Sequence, residues 1–467
     1  MYSLHDLDIT GIPVKQVLEC EIKSEIGEHS TLTVLAYVDG EDILYELPDC
    51  QEIKISLRDG KERKLLFSGI VTDMQMLEHG QMKTVEIQAK SRSWLMDRTE
   101  QSRSFQNTGM TYRELAKEVL DGYGAGDIIC EGPDQAIGNL FVQYEETDWE
   151  FLKRVFSVAG LALTPDSRQE GIKLYAGVPH LAESGLSYHV VGIDKDMDSY
   201  YFLKANGRDA NAMDFTRYQI ISEQPVGIFE SVMVQGKNLA VYSCRYVFRG
   251  QQMLGIYGLQ SPQGLKRVSS YPMHLIGVAL MGKVAHVEGT KIQAMLEIDK
   301  DHMERAVYWF PFSTISASPD GSGWYCMPEE GDDVRIYFPS KHEKEALALS
   351  AVSNYDAAQT GEPDRMGDPN SRYLRTKSGQ ELALAPDHIR LSCGKKAASV
   401  TIDTDGKITV QAQTMVKVEA EESVTLHAEE ALNIHVMEQF IAQSLNGGQI
   451  IFDSGDVSLR GTQVNFD

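Results

Sequence analysis

The sequence predicts a mainly β protein that contains β-barrel domains with a small α/β insertion, an OB-fold barrel and a C-terminal intertwined triple-stranded β-helix formed by a homotrimer. Three observations lead to this fold class. Alternating or β-branched runs between turn residues recur along most of the 467 residues, which is typical of strands. Two short stretches carry helix-capping signals. The C-terminal part repeats with a period of eight residues, which is typical of stacked strands.

The first segment, residues 1–100, has the pattern of a small antiparallel barrel. The runs 32–38 and 52–57 are β-branched or alternate between apolar and polar residues. Asp-Gly pairs at 39–40 and 59–60 supply the residues that tight hairpin turns favour. We therefore expect a β-barrel over this segment.

Two capping boxes of the form Thr-x-x-Glu begin at Thr111 and Thr147. Apolar residues follow each box at helical spacing, so each helix has one apolar face. Gly122 and Gly160 are expected to end the two helices, since glycine is favoured just after a helix. The sequence thus predicts a helix-containing α/β segment over residues 101–165.

Four further segments follow the helices, and three of them carry strand signals. Residues 166–275 are expected to form a second β domain, and residues 276–355 an OB-fold domain, which needs about five strands. Residues 356–377 begin with a stretch rich in Asp, Gly, Pro and Asn and are predicted to be a linker. Residues 378–467 are predicted to form a β-helix needle.

The needle prediction depends on the repeat. Apolar residues stand in pairs separated by one residue, and the pairs recur every eight positions from Val400 to Phe440 and every seven from Ile450 onward. A spacing of two fits a strand, whereas a helix repeats about every 3.6 residues and a coiled coil needs apolar positions about three and four apart.

A strand this short cannot bury its apolar face alone. One chain would need more residues per layer to wrap every face, so the short repeat suits a prism shared by several chains, and three chains are the simplest closure. The alternative is an antiparallel meander within one chain. The residues predicted to form the trimer core are Val400, Ile402, Ile408, Val410, Val416, Val418, Val424, Leu426, Leu432, Ile434, Phe440, Ile450, Phe452, Val457 and Leu459.

Charge and composition exclude several classes of protein. The chain has 68 acidic and 44 basic residues and a net charge of -24, which disfavours binding to nucleic acid or to an anionic membrane. The six cysteines are far apart in sequence and are expected to be reduced. The N-terminus lacks the pattern of a secretion signal and no run is apolar enough to span a bilayer, so we expect synthesis in the cytoplasm.

No residue pattern predicts a catalytic, cofactor-binding or metal-binding site. His427 and His435 could form rings in a trimer and bind metal, but solvated surface histidines are favoured. The run Gly122–Gly126 follows a helix rather than a strand, so a helix end and loop is favoured over a phosphate loop. The carboxylates between 145 and 150 are favoured as helix-capping groups over an acid/base pair.

The order of these parts resembles the VgrG family, the spike and hub proteins of contractile injection machines. Residues 1–275 are similar to the hub, the phage late-control D family, most of all over 141–154. The run 328–338 resembles the family's Pro-x-x-Gly-x-x-Val-x-(aliphatic)-x-Phe strand in the OB domain. The C-terminal repeat resembles the spike's triple-stranded β-helix.

The resemblance implies a structural homotrimer at the tip of a contractile tail tube. The hub would contact tail tube rings and baseplate wedge proteins, and the needle would pierce the target-cell envelope transiently during injection. A PAAR-type tip protein would dock at Val464, Phe466 and Asp467, and effector cargo is a further possible partner. The interval where some spikes carry a lysozyme domain is a short linker here. No enzyme activity and no cofactor are implied.

The alternative function is a trimeric polysaccharide- or wall-degrading tail-spike enzyme with a β-helical stem. A third interpretation, a trimeric surface adhesin, would need a secretion signal. Phage tails, phage-tail-like bacteriocins, extracellular injection systems and type VI secretion systems all use spikes and hubs of this kind, and such particles are released or fired outside the cell.

Overall fold

The computed structural model describes residues 2–39, 42–45, 48–79, 82–132, 134–179, 184–250, 252–299, 303–349, 367–394, 397–445, 447–453 and 455–463. Contacts divide the chain into two compact units, Met1–Asn354 and Tyr355–Asp467. We call them the first unit and the second unit. Both are built mainly from antiparallel strands, so the predicted mainly β fold class is confirmed.

The N-terminal part of the first unit is a series of long strands. Alternate residues are buried along the strands 31–38 and 52–57, as their sequence pattern predicts. The elements are β1 (Leu7–Thr10), β2 (Gln16–Glu25), β3 (Thr31–Val38), α1 (Asp42–Tyr45), β4 (Glu52–Asp59), β5 (Glu62–His79) and β6 (Met82–Ser91).

The α/β segment follows, and both predicted helices are present. Thr111 and Thr147 each cap a helix through a complete capping box. Gly160, with φ of 75°, lies just after the second helix, as predicted. The elements are β7 (Glu100–Phe105), α2 (Tyr112–Leu120), β8 (Asp127–Cys130), β9 (Phe141–Thr147), α3 (Asp148–Val158), β10 (Leu163–Pro165) and β11 (Lys173–Ala176).

The predicted role of Gly122 as the residue that ends the first helix is wrong. The helix stops at Leu120, and a 3-10 turn carries the chain through Asp121–Tyr123. Gly124 then adopts a φ of 70°. The left-handed conformation, which glycine tolerates best, is needed two residues later than the sequence pattern suggested.

The third part of the first unit returns to long strands. Its elements are β12 (His189–Lys195), α4 (Met197–Ala205), β13 (Thr216–Ser222), β14 (Ser231–Val234), β15 (Lys237–Arg249) and β16 (Gln252–Gln260). Among the described residues these strands join β1–β6 in one 11-stranded sheet, in the order β1-β4-β5-β6-β3-β2-β15-β16-β13-β12, with β14 beside β15.

The pairing of β2 with β15 joins two segments that the sequence pattern predicts as separate domains. Cys20 lies opposite Phe248 and Ile22 opposite Tyr246, and all four side chains are buried in one continuous core. Residues 1–100 and 166–275 therefore share a sheet and a core in this structure, with the α/β segment inserted between them.

The predicted OB segment forms a five-stranded sheet within the described residues. Its strand order is β19 (Trp309–Pro311), β18 (Lys291–Leu296), β17 (Ala279–Glu288), β20 (Asp333–Tyr337) and β21 (Leu347–Leu349). Phe312, just after β19, pairs with Ala348 in β21 and brings the two ends of this order together. The sheet therefore closes around a core in the manner of a small barrel.

The second unit contains two antiparallel meanders. The strands are β22 (Arg372–Arg375), β23 (Glu381–Leu384), β24 (His388–Cys393), β25 (Ala398–Asp403), β26 (Ile408–Ala412), β27 (Gln439–Gln443), β28 (Gln449–Asp453) and β29 (Asp456–Arg460). Consecutive strands pair in β22–β26 and in β27–β29. Residues 413–438, between the meanders, are described without strand or helix. None of the helices in the described ranges is long and apolar enough to cross a membrane.

Candidate functional site

The candidate site is an apolar face on the second unit, built by cross-strand alignment. In the first meander, Val400 pairs with Val410 and Ile402 with Ile408. Directly paired residues share a face of a sheet, and so do residues two apart on one strand. Two rows therefore lie on one face: Leu374, Leu382, Leu391, Val400 and Val410 in the first, and Leu384, Ile389, Ile402 and Ile408 in the second.

The second meander repeats this arrangement. Phe440 pairs with Phe452, which pairs in turn with Val457. The Phe440 and Phe452 rings meet edge to face at 5.6 Å between centroids. Ile450 and Leu459 form the parallel row. The predicted needle-core residues in both meanders thus lie in register on one face of each sheet.

This face is uncovered in the single chain. Val400 is 37% exposed, Ile408 67% and Val410 56%. On the opposite face of the same meander Ala383 and Thr401 are buried, so the side that carries small and polar residues is the better covered. We call the apolar rows of the two meanders the apolar face. An exposed face of this size is rare on a soluble monomer and indicates an interaction surface.

The other predicted needle-core residues, from Val416 to Ile434, lie in the part without strands. Val418 is 70% exposed and Leu426 71%. His427 and His435 are exposed in the same segment. That these residues form part of a trimeric needle core remains a prediction. The predicted docking residues Val464, Phe466 and Asp467 lie outside the described residues.

The residues that β22, β23 and β24 add to the apolar face were not predicted from the sequence. Leu382/Leu384 and Ile389/Leu391 are also apolar pairs with one residue between them, but their spacing is not eight. Leu374, in β22, falls inside the predicted linker. A search for pairs at spacing two without a fixed period would have found four of these five residues.

A buried ion cluster in the first unit connects the α/β segment to the OB barrel. The Arg154 guanidinium on α3 lies 2.9 Å from Glu146 and 3.1 Å from Glu343, which follows β20. The Val142 N–H also donates to Glu343, at 2.8 Å. Burial disfavours the charge on Arg154 and would lower its pKa. The nearby Glu343 and Glu146 carboxylates outweigh this effect of burial and hold the pKa of Arg154 above its ordinary value.

A second set of buried hydrogen bonds lies at the same boundary. Both the N–H and the hydroxyl of Ser104 donate to the Asp299 carboxylate at 2.7 Å. Gln106 donates to the Ala294 carbonyl at 3.1 Å. Every pair except Arg154–Glu146 joins the α/β segment to the OB barrel, so the two sets hold these parts together. We call the two sets the joint.

Two of the carboxylates between 145 and 150, Asp148 and Glu150, take part in packing and helix capping. Asp148 accepts from Tyr123 at 2.8 Å and pairs with Arg103, and Glu150 completes the capping box of α3. The Tyr123–Asp148 hydrogen bond also connects the run Gly122–Gly126 to α3. Each of these groups is thus occupied by helix capping or by packing between segments.

Comparisons with known proteins agree with this architecture. Residues 25–211 match the family model of the phage tail baseplate hub (GPD). The E. coli c3393 protein, described as a component of the type VI secretion system with structural similarity to the T4 bacteriophage tail proteins gp27 and gp5, has a TM-score of 0.53 and 15% identity, and the match covers 75% of this chain and 100% of that one. The chain has the fold of a VgrG-type spike and hub protein.

Other VgrG-type structures extend the match. A chain of the lidded Francisella PdpA–VgrG complex has a TM-score of 0.53 and 10% identity, with 87% of this chain and 79% of that one covered. The lidless PdpA–VgrG complex has a TM-score of 0.51 and 9% identity, with 85% and 93% covered. No curated protein sequence matches the chain. The predicted resemblance to the VgrG family is thus confirmed.

Proposed function

We propose that this VgrG-type chain is a homotrimeric spike of a contractile injection apparatus, in which the first unit forms the hub on the tail tube and the second unit forms the needle that punctures the target envelope. The apolar face carries the proposal. It is aligned in register along two meanders, and it is exposed in the single chain.

Burial of this face between three chains would supply the stability that one meander lacks. A fully buried Val, Ile, Leu or Phe side chain contributes about 1.5–3 kcal/mol relative to an exposed one. More than ten such side chains line the strands of the apolar face. An apolar face that stays in water gains none of this stabilisation, so we expect a needle of this sequence to need partner chains.

The joint suits a part that transmits force. Arg154, Glu146 and Glu343 are each less than 10% exposed, and buried ion pairs with full hydrogen bonding tolerate little displacement because breaking one leaves a charge buried and unpaired. The hub and the OB barrel therefore move as one body when the tube pushes on the hub.

The remaining partners follow from the same proposal. Tail tube rings and baseplate wedge proteins would contact the hub, a PAAR-type tip protein would dock at Val464, Phe466 and Asp467, and effector cargo would travel with the spike. The function is mechanical and needs no catalytic step. A release assay on purified cell walls checks this, because a wall-degrading enzyme would liberate soluble fragments.

The mass of the full chain in solution tests the trimer. We expect a species of three times 52.1 kDa that survives mild detergent. Ile408→Asp combined with Val410→Asp places two charges on the apolar face of β26 and should abolish this species. Thr409→Asp combined with Gln411→Asp places the same charges on the opposite face of the same strand and should leave it intact.

Two outcomes would contradict the proposal. A monomer for the unmodified chain would mean that the apolar face is covered within one chain or by another protein. Equal loss of the trimer in both double variants would mean that β26 tolerates no charge on either face, and the apolar face would then carry no special role.

A further inference from the structure

An exposed loop of the OB barrel carries large apolar side chains to which the proposed spike assigns no role. The loop, residues 312–332, lies between β19 and β20. Ile315 is 85% exposed, Trp324 58% and Tyr325 72%. Burial of side chains of this size is favourable, and an exposed apolar cluster indicates an interaction site.

The loop has a defined structure of its own. Ala317 and Gly323 form an antiparallel bridge, and the Trp324 N–H donates to the Ser316 carbonyl at 2.8 Å. Gly323 has a φ of 140°, and a Cβ at this position would clash with the Ser316 carbonyl oxygen, so the close approach of the two arms of the loop needs glycine. The backbone therefore fixes the points from which Trp324 and Tyr325 project.

Two hydrogen bonds connect this loop to the barrel strands. The Tyr325 hydroxyl donates to the Gly289 carbonyl at 2.7 Å, in the turn between β17 and β18. Thr314, which follows β19 by three residues, donates through its hydroxyl to the Trp324 carbonyl. Trp324 and Tyr325 are therefore held at the end of the barrel where β18 begins and β19 stops.

The outer face of β18 and β19 continues this surface. Gln293 pairs with Trp309, and the next pair along the two strands is buried in the barrel core. Because side chains alternate along a strand, Gln293 and Trp309 lie on the outer face. These strands are the second and third of the barrel, and in OB folds that face and the turn before it bind oligonucleotides and oligosaccharides. We call Gln293, Trp309, Trp324 and Tyr325 the aromatic patch.

The charge around the aromatic patch distinguishes these two classes of ligand. Residues 312–328 contain one charged residue, Asp320. Lys291, at the start of β18, lies opposite Glu288 in the strand register, and Glu330 lies 3.1 Å from His286. A nucleic acid would meet no surplus of positive charge here. The ligand that fits the patch is therefore uncharged.

We infer that the aromatic patch binds an uncharged oligosaccharide chain. A sugar ring has an apolar C–H face that can pack on an aromatic ring, and hydroxyl groups that need hydrogen-bond partners. Trp and Tyr side chains supply large, rigid contact area, and Ser and Gly supply adaptable hydrogen bonding. The loop has both kinds of residue, since residues 313–327 include four Ser and one Thr beside Trp324 and Tyr325. The inference goes beyond the proposed spike and does not depend on the needle.

Titration calorimetry of the full chain with chitotetraose, cellotetraose and maltotetraose tests the inference. We expect saturable binding of at least one of these uncharged sugars. Trp324→Ala should lower the affinity about tenfold, and Trp324→Phe should keep most of it. Tyr45→Ala is the matched control, because Tyr45 on α1 is 80% exposed and lies outside the barrel. Both side chains are exposed, so neither replacement should change the melting temperature of the first unit.

Three outcomes would overturn the inference and leave the proposed spike standing. The first is no saturable binding of any of the three sugars. The second is equal weakening of binding in Trp324→Ala and Tyr45→Ala, because exposed aromatic side chains would then bind sugar without a site. The third is loss of the trimeric mass in Trp324→Ala, which would assign Trp324 to a contact between proteins. A monomeric unmodified chain that still binds sugar through Trp324 would contradict the spike alone.

Discussion

Two antiparallel sheets of this chain carry the same alternating pattern and differ in what covers their apolar faces. In the first unit, Ile53, Ile55 and Leu57 of β4 are buried at 0–1% exposure. In the second unit, Ile402 and Ile408 are 46% and 67% exposed. The alternation tells which face of a strand is apolar, but it does not tell whether the covering surface belongs to the same chain.

The difference divides the molecule by the origin of its stability. The core of the first unit is complete within one chain, so its free energy of unfolding should not depend on protein concentration. The second unit needs partner chains, so its stability should depend on association. This division predicts different responses of the two units to dilution, to substitution and to acid.

Dilution should affect the thermal stability of the two units differently. For a trimer that dissociates as it unfolds, a hundredfold dilution lowers stability by about 5.5 kcal/mol per trimer. We expect the melting temperature of the second unit to fall on dilution, while that of the first unit stays constant. Scanning calorimetry over a range of protein concentrations measures both transitions. A second transition that does not move with concentration would show that one chain completes the apolar face.

Loss of Arg154 should destabilise the first unit alone. Arg154→Leu leaves Glu146 and Glu343 buried without their cation, which typically costs about 3–5 kcal/mol. Denaturant unfolding, followed at a concentration where the second unit is trimeric, measures the change. Arg245→Leu is the control, because Arg245 pairs with Glu21 at 2.7 Å with 47% of its side chain exposed, and exposed pairs contribute about 0–1 kcal/mol. Equal losses of stability in Arg154→Leu and Arg245→Leu would mean that the buried pairs of the joint stabilise the first unit no more than a surface ion pair does.

The local features of the fold could be predicted from the sequence. Each capping box, at Thr111 and at Thr147, is defined by four consecutive residues, and both are present in the structure. The face of β25 and β26 that carries apolar residues followed from spacing alone. Such signals act within one element, so no knowledge of the rest of the chain is needed to find them.

The long-range features could not be predicted. Strand β2 pairs with β15, more than 200 positions along the chain, and Arg154 meets Glu343 across 189 positions. Neither contact has a local signature, since any apolar strand or any buried acid would satisfy the same pattern. The start of the apolar face was missed for another reason: the turn between β24 and β25 breaks the period of eight.

Acid should destabilise the first unit through His29. Burial lowers the pKa of His29 from 6.5 to about 4, although Asp97 opposes the shift. The folded state then binds fewer protons than the unfolded state between these values, so stability is complete above about pH 6.5 and is lost as the pH falls towards 4. The loss has an upper limit of about 3 kcal/mol. His29→Gln should remove this part of the pH dependence.

Denaturant unfolding at pH 7 and pH 4.5 measures the change. His286→Gln is the control because His286 is 65% exposed, and it should keep the pH dependence of the unmodified chain. The His29 ring packs on Trp149 at a tilt of 36° with 4.4 Å between centroids, and its Nδ1 shares a hydrogen bond with the Ser93 hydroxyl at 2.8 Å. The variant should therefore also be less stable at pH 7. An unaltered pH dependence in His29→Gln would assign the acid sensitivity to other groups.

The smallest expected effect is the difference in stability lost when each of the two capping boxes is removed. Thr111 accepts the Glu114 N–H at 3.2 Å, and the hydrogen bonds of its side chain stay within its own capping box in the described part of the chain. Thr147 accepts the Glu150 N–H at 3.2 Å and also donates to Asp97, outside its box, at 2.7 Å. Loss of a cap costs about 1 kcal/mol, and a hydrogen bond to a charged group adds about 1.5 kcal/mol or somewhat less where the group is partly exposed. Thr147→Ala should therefore destabilise the first unit by about twice as much as Thr111→Ala, while Thr→Ser at either position should restore most of the loss.

Because both helices lie in the first unit, neither change should alter the concentration dependence of the second. Equal losses at the two positions would mean that the Thr147–Asp97 bond contributes nothing, and the anchoring of α3 would then rest on its buried face and on Arg154.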